Sequence, residues 1–351
     1  MKLEAIAALS PGEGEKLLQQ GGSTTLQPIY LTLQQTRRLI HLKMEGENPT
    51  GSMKDRTGYS LVRHFEEQGR LKKGATLIES TSGNLGVALA FIAKARGYRF
   101  TAVVDPKTTS ENLARMHLLG AQIEMVTQPD ICGGYLLSRL QRVQEYCQRS
   151  TEYLWTDQYG NAANPYIHYI QTAPEIYRQM QGRVDVVFVP VSTGGTLAGI
   201  GRFFREVSPM TQVIGVDACG SVIFGAPPAP RKLTGIGSSR PSSFLRPELY
   251  DTHLLIGDAE AFFLCRMLYA ATGLMVGGSS GAVLVACIQY LATHPELRHV
   301  VCVCADRGQN YASTIFDDTW MAQYRFAELS QLLQDVSFEA RQSNNPGGGV
   351  P

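Results

Sequence analysis

The chain alternates between short apolar runs and longer segments whose apolar residues recur at helical spacing. From Ile40 onward each strand-like run precedes a helical segment. The first-half runs are TLIES, FTAVVDP and AQIEMV, followed by GVALAFIAKARG, SENLARMHLLG and GGYLLSRLQRVQEYCQRS. The pattern restarts with VDVVFVPVS, TQVIGVDA and HVVCVCAD. Because such alternation is typical of parallel strands joined by crossover helices, we predict an α/β protein with two doubly wound halves.

Two segments interrupt this alternation. Residues 224–250 are rich in Pro, Gly and Ser, which predicts a surface excursion or a loop over a site. Residues 317–340 have a helical pattern, compatible with packing on their own chain or on a second subunit. The final residues, SNNPGGGVP, are typical of a disordered tail.

The charge balance restricts the possible partners. The 351 residues include 32 Lys and Arg against 31 Asp and Glu, a formal net charge of +1. No overall field attracts nucleic acid or an acidic membrane, so small molecules are the expected partners. The length leaves room for roughly two domains. The 44% of apolar residues and the 35 glycines suit a large core with close backbone approaches.

Cysteines and histidines form no metal-binding pattern. The seven cysteines lack a CxxC motif or a Cys/His ligand spacing, which favours buried free thiols in a reducing compartment. His117 and His168 lie in helical patterns and are expected to pack or face solvent. The N-terminal residues lack a long apolar stretch, and no run approaches ~18 apolar residues. We expect a cytoplasmic enzyme without a metal.

Residues 47–56, ENPTGSMKDR, combine turn residues with a lysine at the start of a helix. Lys54 falls at the opening of the helical segment DRTGYSLVRHFEEQ. Backbone N–H groups and the positive helix end favour a neutral amine there, which a Schiff-base lysine requires. Taken alone, a solvated lysine after a turn is the commoner explanation.

Three further segments each lead into a helix through hydroxyl residues and glycine. They are STSGNLG at residues 80–86, STGGT at residues 192–196 and GGSSGA at residues 277–282. In STSGNLG, hydroxyls and free N–H groups at the helix start form a cradle for a carboxylate, and the glycines and threonines of STGGT suit a phosphate. Singly, each segment is also explained by helix capping or tight packing. STGGT matches neither GxGxxG nor GxxxxGK[ST], so hydride transfer and ATP chemistry lose support.

In order and spacing, NPTGSMKDR, STSGNLG, STGGT and GGSSGA resemble the motifs of the pyridoxal-phosphate (PLP) enzymes of the cysteine synthase and cystathionine β-synthase family. The resemblance implies a fold-type-II enzyme whose two doubly wound domains, with parallel or mixed sheets, hold the cofactor in their cleft. It implies a larger domain of residues 1–44 and 153–330 and a smaller mobile domain of residues 45–152. Residues 331–351 are then a C-terminal extension, and the protein is a homodimer.

The resemblance also assigns roles to individual residues. Lys54 binds the cofactor covalently, Asn84 contacts its ring hydroxyl and Ser279 faces its pyridine nitrogen. The predicted phosphate-binding residues are Ser192, Thr193, Gly194, Gly195 and Thr196. The predicted residues for the substrate's α-carboxylate are Thr81, Ser82 and Gln158.

A serine at the pyridine nitrogen favours one kind of reaction. Its hydroxyl cannot protonate the ring as a carboxylate would, so the ring is a weaker electron sink and loss of a β-leaving group is favoured. The Lys54 amine can take the α-proton and later return it. The expected reaction is β-replacement.

Three positions depart from the sulfide-using members of the family. Leu85 replaces a threonine, and Tyr159 and Ser192 add hydroxyls near the expected substrate position, which suggests a bulkier polar acceptor than sulfide. The pattern is similar to the siderophore-pathway branch, which condenses O-phospho-L-serine with L-glutamate on the way to 2,3-diaminopropionate. Both substrates need cationic contacts, for which Arg139 is our candidate, although a solvated helix surface explains it equally well; Arg240 is a weaker candidate.

Three alternatives remain. A cysteine synthase would use O-acetylserine or O-phosphoserine with sulfide. A catalytically silent relative would have lost the lysine or the phosphate loop, and both are intact here. A cystathionine β-synthase is disfavoured because we find no Cys/His haem segment and no regulatory module.

Overall fold

The computed structural model describes residues 3–20, 23–130, 134–323 and 331–339. The strands of these ranges are β1 (Leu26–Leu33), β2 (Thr36–Met44), β3 (Thr76–Ser80), β4 (Arg99–Val104), β5 (Gln122–Met125), β6 (Tyr153–Trp155), β7 (Val186–Pro190), β8 (Gln212–Ala218), β9 (Thr252–Ile256), β10 (Val300–Cys304) and β11 (Ser337–Phe338).

The α-helices of the same ranges are α1 (Leu3–Ala7), α2 (Pro11–Gln20), α3 (Lys54–Glu67), α4 (Asn84–Arg96), α5 (Ser110–Leu118), α6 (Leu136–Arg149), α7 (Ala163–Ile167), α8 (Ala173–Gln179), α9 (Gly195–Val207), α10 (Asp258–Thr272), α11 (Gly278–Thr293), α12 (Asp318–Gln323) and α13 (Gln331–Gln334). A π-helical turn, His168–Thr172, connects α7 to α8.

The larger sheet has seven strands in the order β11-β1-β2-β10-β7-β8-β9. The strands from β2 to β9 run parallel, whereas β1 is antiparallel to both β2 and β11. A two-residue turn joins β1 to β2, and its residues Gln34 and Gln35 have φ angles of 47° and 60°. Positive φ at both positions matches the twist of a hairpin.

Helices cover both faces of the larger sheet. Side chains of α10 and α11 pack on one face, and those of α8 and α9 pack on the other. Strands β7 and β10 are buried at every residue. Because neither face of these strands meets water, their sequences VVFVP and VVCVC are uninterrupted apolar runs.

The smaller sheet has four parallel strands in the order β5-β4-β3-β6. Its core includes Phe91 of α4 together with Ile6 of α1 and Leu18 of α2. Strand β6 and helices α1 and α2 therefore belong with this sheet in space, although they lie in the residues assigned to the larger domain. The domain boundaries at residues 44 and 152 stay a prediction.

The predicted α/β architecture is confirmed, with one difference near the C-terminus. Instead of one helix, residues 317–340 contain the short helices α12 and α13 and the strand β11, while residues 324–330 and 340 lie outside the described ranges. Strand β11 pairs with the free edge of β1, where Phe338 lies opposite Leu31 and is buried. The described part of this segment thus packs on its own chain. The predicted disordered tail, residues 343–351, also lies outside the described residues.

No helix of the described residues combines the length and apolar character that a membrane span needs. No group of three or more His, Cys, Asp or Glu side chains in these ranges is arranged to hold a metal ion.

Candidate active site

STSGNLG follows β3 and STGGT follows β7 at the carboxyl ends of parallel strands, where α/β proteins bind their ligands. The other two motifs adjoin the chain that follows β10, since Ser52 forms a backbone bridge with Asp306 and Val276 forms one with Arg307. Lys54 is the first residue of α3 and Asn84 the first residue of α4. The STGGT turn connects β7 to α9, and Ser279 is the second residue of α11. Contacts link the motifs, since Thr196 Oγ1 lies 3.9 Å from the sulfur of Met53, next to Lys54.

The turn before α3 positions Lys54. Gly51 has a φ of 92°, and a Cβ at this position would lie 1.9 Å from Nε of Arg307, so the turn requires glycine. The Met53 amide donates a hydrogen bond to the Ala305 carbonyl at 2.8 Å. The lysine is therefore held against the chain that follows β10.

The Lys54 amine has a perturbed proton affinity. Burial lowers its pKa to about 8, and the negative charge of Asp306 opposes this effect. A lysine with this pKa has far more neutral amine near pH 7 than an exposed lysine, as nucleophilic and base chemistry requires.

Glu79 organises the two loops on the substrate side. Its carboxylate accepts hydrogen bonds from the Thr156 hydroxyl at 2.5 Å and from the Gln158 amide at 3.1 Å. The Gln158 side chain in turn donates to the Ser80 carbonyl at 2.9 Å. Burial raises the pKa of Glu79 to about 7.

The predicted carboxylate-binding residues come together around these loops. Gln158 reaches across to the beginning of STSGNLG, while the Asn112 side chain donates to the Ser82 carbonyl at 3.3 Å. Thr81 is buried and its amide donates to the Val103 carbonyl at 3.0 Å. The structure thus brings Thr81, Ser82 and Gln158 into one region, and their binding role stays a prediction.

The STGGT turn has the geometry of an anion site. Gly194 has a φ of 89°, and a Cβ there would lie 2.1 Å from Oγ of Ser242. Gly195 begins the thirteen-residue helix α9, whose first N–H groups lack helical partners. The hydroxyl residues Thr193 and Thr196 are buried beside this helix start.

The sequence reasoning missed Asn164, which joins two of the predicted subsites. Its side-chain amide donates to the Gln158 carbonyl at 2.7 Å and to Oγ1 of Thr193 at 3.1 Å. The substrate-side loop and the phosphate turn are therefore connected through one buried amide. No local motif identifies this residue, because its contact with Thr193 joins segments 29 positions apart.

His168 also has a more specific place than the sequence suggested. The fully buried ring lies 3.2 Å from Oγ1 of Thr57 and 3.3 Å from Oγ1 of Thr196. Burial lowers its pKa to about 3, so the ring is neutral at pH 7. Its packing role was expected, but its contact with the phosphate turn was not.

Arg139 and Arg240, the two cations predicted to bind the substrates, both act electrostatically on Tyr159. Arg139 is only 8% exposed, so its alternative interpretation as a solvated surface residue is wrong. Its Nε lies 3.2 Å from Oδ2 of Asp105, and its Nη1 has no hydrogen-bond partner among the described residues. The charge of Arg139 acts on half-buried Tyr159, and the Arg240 guanidinium lies 5.2 Å from the Tyr159 ring centroid.

Ser192 is the first residue of the STGGT turn. Its hydroxyl donates a hydrogen bond to the Gly237 carbonyl at 3.3 Å. Gly237 belongs to the breaker-rich loop that also carries Arg240. That loop is therefore in contact with the site.

The donor set fits PLP. Ser279 Oγ is buried, at 1% exposure, and finds no hydrogen-bond partner in the described ranges, which is costly unless a ligand supplies one. The start of α9 suits a phosphate, and the Lys54 amine suits an aldehyde. Ser279, the start of α9 and Lys54 thus match the pyridine nitrogen, the phosphate and the aldehyde of the cofactor.

Comparison with protein families gives the assignment. Residues 17–306 match the family described as pyridoxal-phosphate dependent enzyme. The chain belongs to this family. The match includes the Lys54 turn, STSGNLG, STGGT and GGSSGA, and it confirms the predicted cofactor, pyridoxal 5'-phosphate, and the fold-type-II architecture.

Solved structures of this family are similar over most of the chain. An O-ureido-L-serine synthase is 30% identical, with a TM-score of 0.76 over 87% of this chain and 98% of its own. A hydrogen sulfide-producing enzyme of Fusobacterium nucleatum is 27% identical, with a TM-score of 0.78 over 84% of this chain and 97% of its own. A second such enzyme of that organism is 24% identical and shares the fold with a TM-score of 0.85. The match covers 94% of this chain and 98% of that enzyme.

These relatives are cysteine synthase-like. The family and its solved members confirm that this chain is a PLP-dependent enzyme of the β-replacement and β-elimination group. The two reactions begin alike, with loss of a substituent from Cβ, and differ in whether a nucleophile then adds.

Proposed function

We propose that the protein catalyses β-replacement on O-phospho-L-serine with L-glutamate, for 2,3-diaminopropionate synthesis in a siderophore pathway. The products are N-(2-amino-2-carboxyethyl)-L-glutamate and phosphate. The bond between Cβ and the phosphate oxygen breaks, and a bond forms between Cβ and the glutamate nitrogen. That nitrogen loses one proton, and the α-proton is removed and later returned.

The residues of the site divide this work. Bound PLP supplies the electron sink for charge that develops at Cα. Lys54 removes and returns the α-proton, since its amine has a pKa of about 8. Asn84 and Ser279 orient the cofactor ring. The phosphate contacts are Ser192, Thr193, Gly194, Gly195 and Thr196, and the α-carboxylate contacts are Thr81, Ser82 and Gln158.

The buried cation Arg139, whose charge acts on Tyr159, is the observation that carries the choice of substrates. Arg139 has an unpaired Nη1 in the described structure, and Arg240 approaches the same tyrosine ring. A guanidinium with free N–H groups suits a phosphate or a carboxylate, whereas sulfide needs neither contact. We therefore assign Arg139, Tyr159 and Arg240 to the phosphorylated donor and the dicarboxylate acceptor.

Mass spectrometry of the amino-acid product tests this proposal. The purified holoenzyme is incubated with O-phospho-L-serine or O-acetyl-L-serine, each with glutamate or sulfide. We expect the aminocarboxyethyl-glutamate mass with O-phospho-L-serine and glutamate. Cysteine as the only product in every mixture would favour the rival cysteine synthase, and that result would overturn the glutamate assignment.

Lys54→Ala tests whether the protein is an enzyme at all. We expect loss of the visible absorption band of the lysine-linked cofactor and at least about a thousandfold loss of turnover. The covalent attachment and the base disappear together in this variant. Circular dichroism serves as the folding control. Unchanged turnover in this variant contradicts the role of Lys54, and an inactive wild type favours a silent PLP-binding relative.

Arg139→Lys tests the substrate contact without leaving the buried carboxylate of Asp105 unpaired. The ammonium keeps the charge but loses the planar fork of donors. We expect KM for O-phospho-L-serine to rise about tenfold while the cofactor stays bound. Arg142→Lys, on the same helix but partly exposed, is the matched control. Equal loss of cofactor and substrate binding indicates a structural role instead.

The homodimer implied by the resemblance and the cytoplasmic location expected from the sequence also belong to this proposal. Light scattering on the purified protein measures the number of subunits. A monomeric holoenzyme with full activity would remove the dimer from the proposal without affecting the substrate assignment.

A further inference from the structure

Asp306 joins the two sheets at the site. It follows strand β10 of the larger sheet and is 3% exposed. Its Oδ2 accepts hydrogen bonds from the Asn84 amide, at the start of α4 beside the smaller sheet, and from the Tyr311 hydroxyl. Both bonds are 2.7 Å long. Ser52, two residues before Lys54, forms a backbone bridge with Asp306.

The second oxygen of this carboxylate is buried without a partner. Oδ1 of Asp306 makes no hydrogen bond within the described residues. A Cβ on Gly277 would lie 2.0 Å from it, so the glycine of GGSSGA makes room for the carboxylate. A buried acid with an unpaired oxygen is costly, and a residue needed only for packing does not require it.

Charged groups face Asp306 from several elements. Arg115 of α5 and Lys54 of α3 act to lower its pKa, but burial outweighs them and raises it. Conversely, the charge of Asp306 raises the pKa of Lys54 against the larger effect of burial. The carboxylate is therefore electrostatically coupled to the lysine that holds the cofactor.

We propose that Asp306 is a positioning residue that fixes the amide of Asn84. A side-chain amide has two N–H groups in one plane. When one of them is bound by Asp306, the plane is fixed and the other can face the ring hydroxyl of the cofactor. Tyr311 fixes the carboxylate in turn. The inference rests on the proposed cofactor contact of Asn84 and extends it to Asp306 and Tyr311, which none of the four motifs contains.

The test uses the holoenzyme and two readouts besides turnover, the visible absorption band of the bound cofactor and the rate of its loss on dilution. Asp306→Ala should shift the band and release the cofactor about tenfold faster or more, as expected for a lost charge-assisted hydrogen bond. We expect kcat to fall with KM for O-phospho-L-serine nearly unchanged. Tyr311→Phe should act in the same direction but more weakly.

Conservative and control variants separate positioning from folding. Asp306→Asn keeps an acceptor oxygen and should therefore shift the band less than Asp306→Ala does. Tyr98→Phe removes a 2.8 Å hydrogen bond to the Glu66 carboxylate, and Asp251→Asn changes the aspartate that precedes β9. Both controls should behave as wild type. If Asp306→Ala does not fold, Asp306→Asn and Tyr311→Phe decide the question by the same two readouts.

A double-variant comparison closes the test. With Asn84→Ala already present, Asp306→Ala should add little further loss of cofactor, because both act on one contact. Additive losses, or an unchanged band in Asp306→Ala and Tyr311→Phe, would overturn the proposal. A wild type that holds the cofactor but forms no β-replacement product defeats the proposed function instead, and leaves this test valid.

Discussion

At the scale of single residues, buried carboxylates organise the site as much as the residues of the four motifs do. Glu79 is fully buried and accepts hydrogen bonds from the side chains of Trp155 and Thr156 and from the amide of Gln158. These bonds favour the ionised form, but burial disfavours it more strongly and raises the pKa to about 7. The loop that carries Gln158 and Tyr159 therefore depends on an acid that titrates near neutrality.

This titration predicts a pH dependence of stability. The pKa of Glu79 rises from an ordinary 4.5 to about 7 on folding, so its contribution is fully present below 4.5 and is lost as pH rises through 7. Between pH 4.5 and about 7, each unit by which the pH rises lowers the unfolding free energy by about 1.4 kcal/mol through Glu79. Glu79→Gln should make the slope shallower by this amount, whereas Asp55 and Asp217, whose pKa values burial raises to about 6, keep contributing. Urea unfolding at several pH values between 4.5 and 8 measures the slope. Glu67→Gln, at an exposed glutamate, should keep it, and the same slope in Glu79→Gln contradicts the prediction.

At the scale of elements, one motif glycine serves helix packing. Gly281 belongs to GGSSGA, the motif whose Ser279 is predicted to face the pyridine nitrogen of the cofactor. A Cβ at Gly281 would lie 2.0 Å from the Ala261 carbonyl, so the glycine allows α11 to pack closely on α10. Gly12 in α2 shows the opposite case, because a Cβ there meets nothing within 4 Å.

Two matched substitutions test this difference. Gly281→Ala should lower the unfolding free energy by about 1–3 kcal/mol, because backbone atoms must move apart and this exceeds the gain in helix propensity. Gly12→Ala should raise it by up to about 1 kcal/mol, since only the propensity changes. Urea midpoints of the two variants and the wild type give both values. A stabilised Gly281→Ala would show that α10 and α11 separate easily.

At the scale of the whole molecule, a buried ionic network ties together elements on which the site depends. Lys43 at the end of β2 lies 2.6 Å from Glu175 of α8, and Arg56 of α3 lies 2.9 Å from Glu175 and 2.7 Å from Glu45. Burial favours the protonated form of Glu45, but the charge and hydrogen bonds of Arg56, together with Lys43 and Thr24, outweigh burial and lower the pKa of Glu45. The helix that begins with Lys54 is thereby anchored to the larger sheet.

Removing one carboxylate should therefore destabilise the fold. Glu175→Ala leaves Lys43 and part of Arg56 buried without their partner, which costs about 3–5 kcal/mol in comparable networks. Chemical denaturation monitored by circular dichroism measures the loss. Glu67→Ala breaks the Arg63–Glu67 pair, whose side chains are more than half exposed, and should change little. Similar midpoints for both variants would mean that the network does not anchor α3.

Local pattern was sufficient for the α/β architecture and for placing Lys54, Asn84, Ser279 and the STGGT turn at helix starts, whereas their roles at the site were implied by the family resemblance and stay predictions. Fully buried parallel strands are apolar throughout, and helices after such strands begin with glycine and hydroxyl residues, so both leave continuous signals. The β1–β2 hairpin left no such signal in the sequence. Its strands mix apolar and charged residues, and its turn contains two glutamines in place of the usual glycine and asparagine.

Contacts between distant segments became visible only in three dimensions. Asn164 meets Gln158 and Thr193, and Asp306 meets Asn84 across 222 positions of the chain. The position of Asp306 directly after the buried run VCVCA was a sequence signal for this residue. Nothing in the sequence indicated that Asn84 is its partner. Side-chain hydrogen bonds depend on which loops the strand order brings to one edge, whereas strands and helix starts depend on neighbours in sequence. The chemical identity of the site could therefore be predicted from the chain, and the bonds that position it could not.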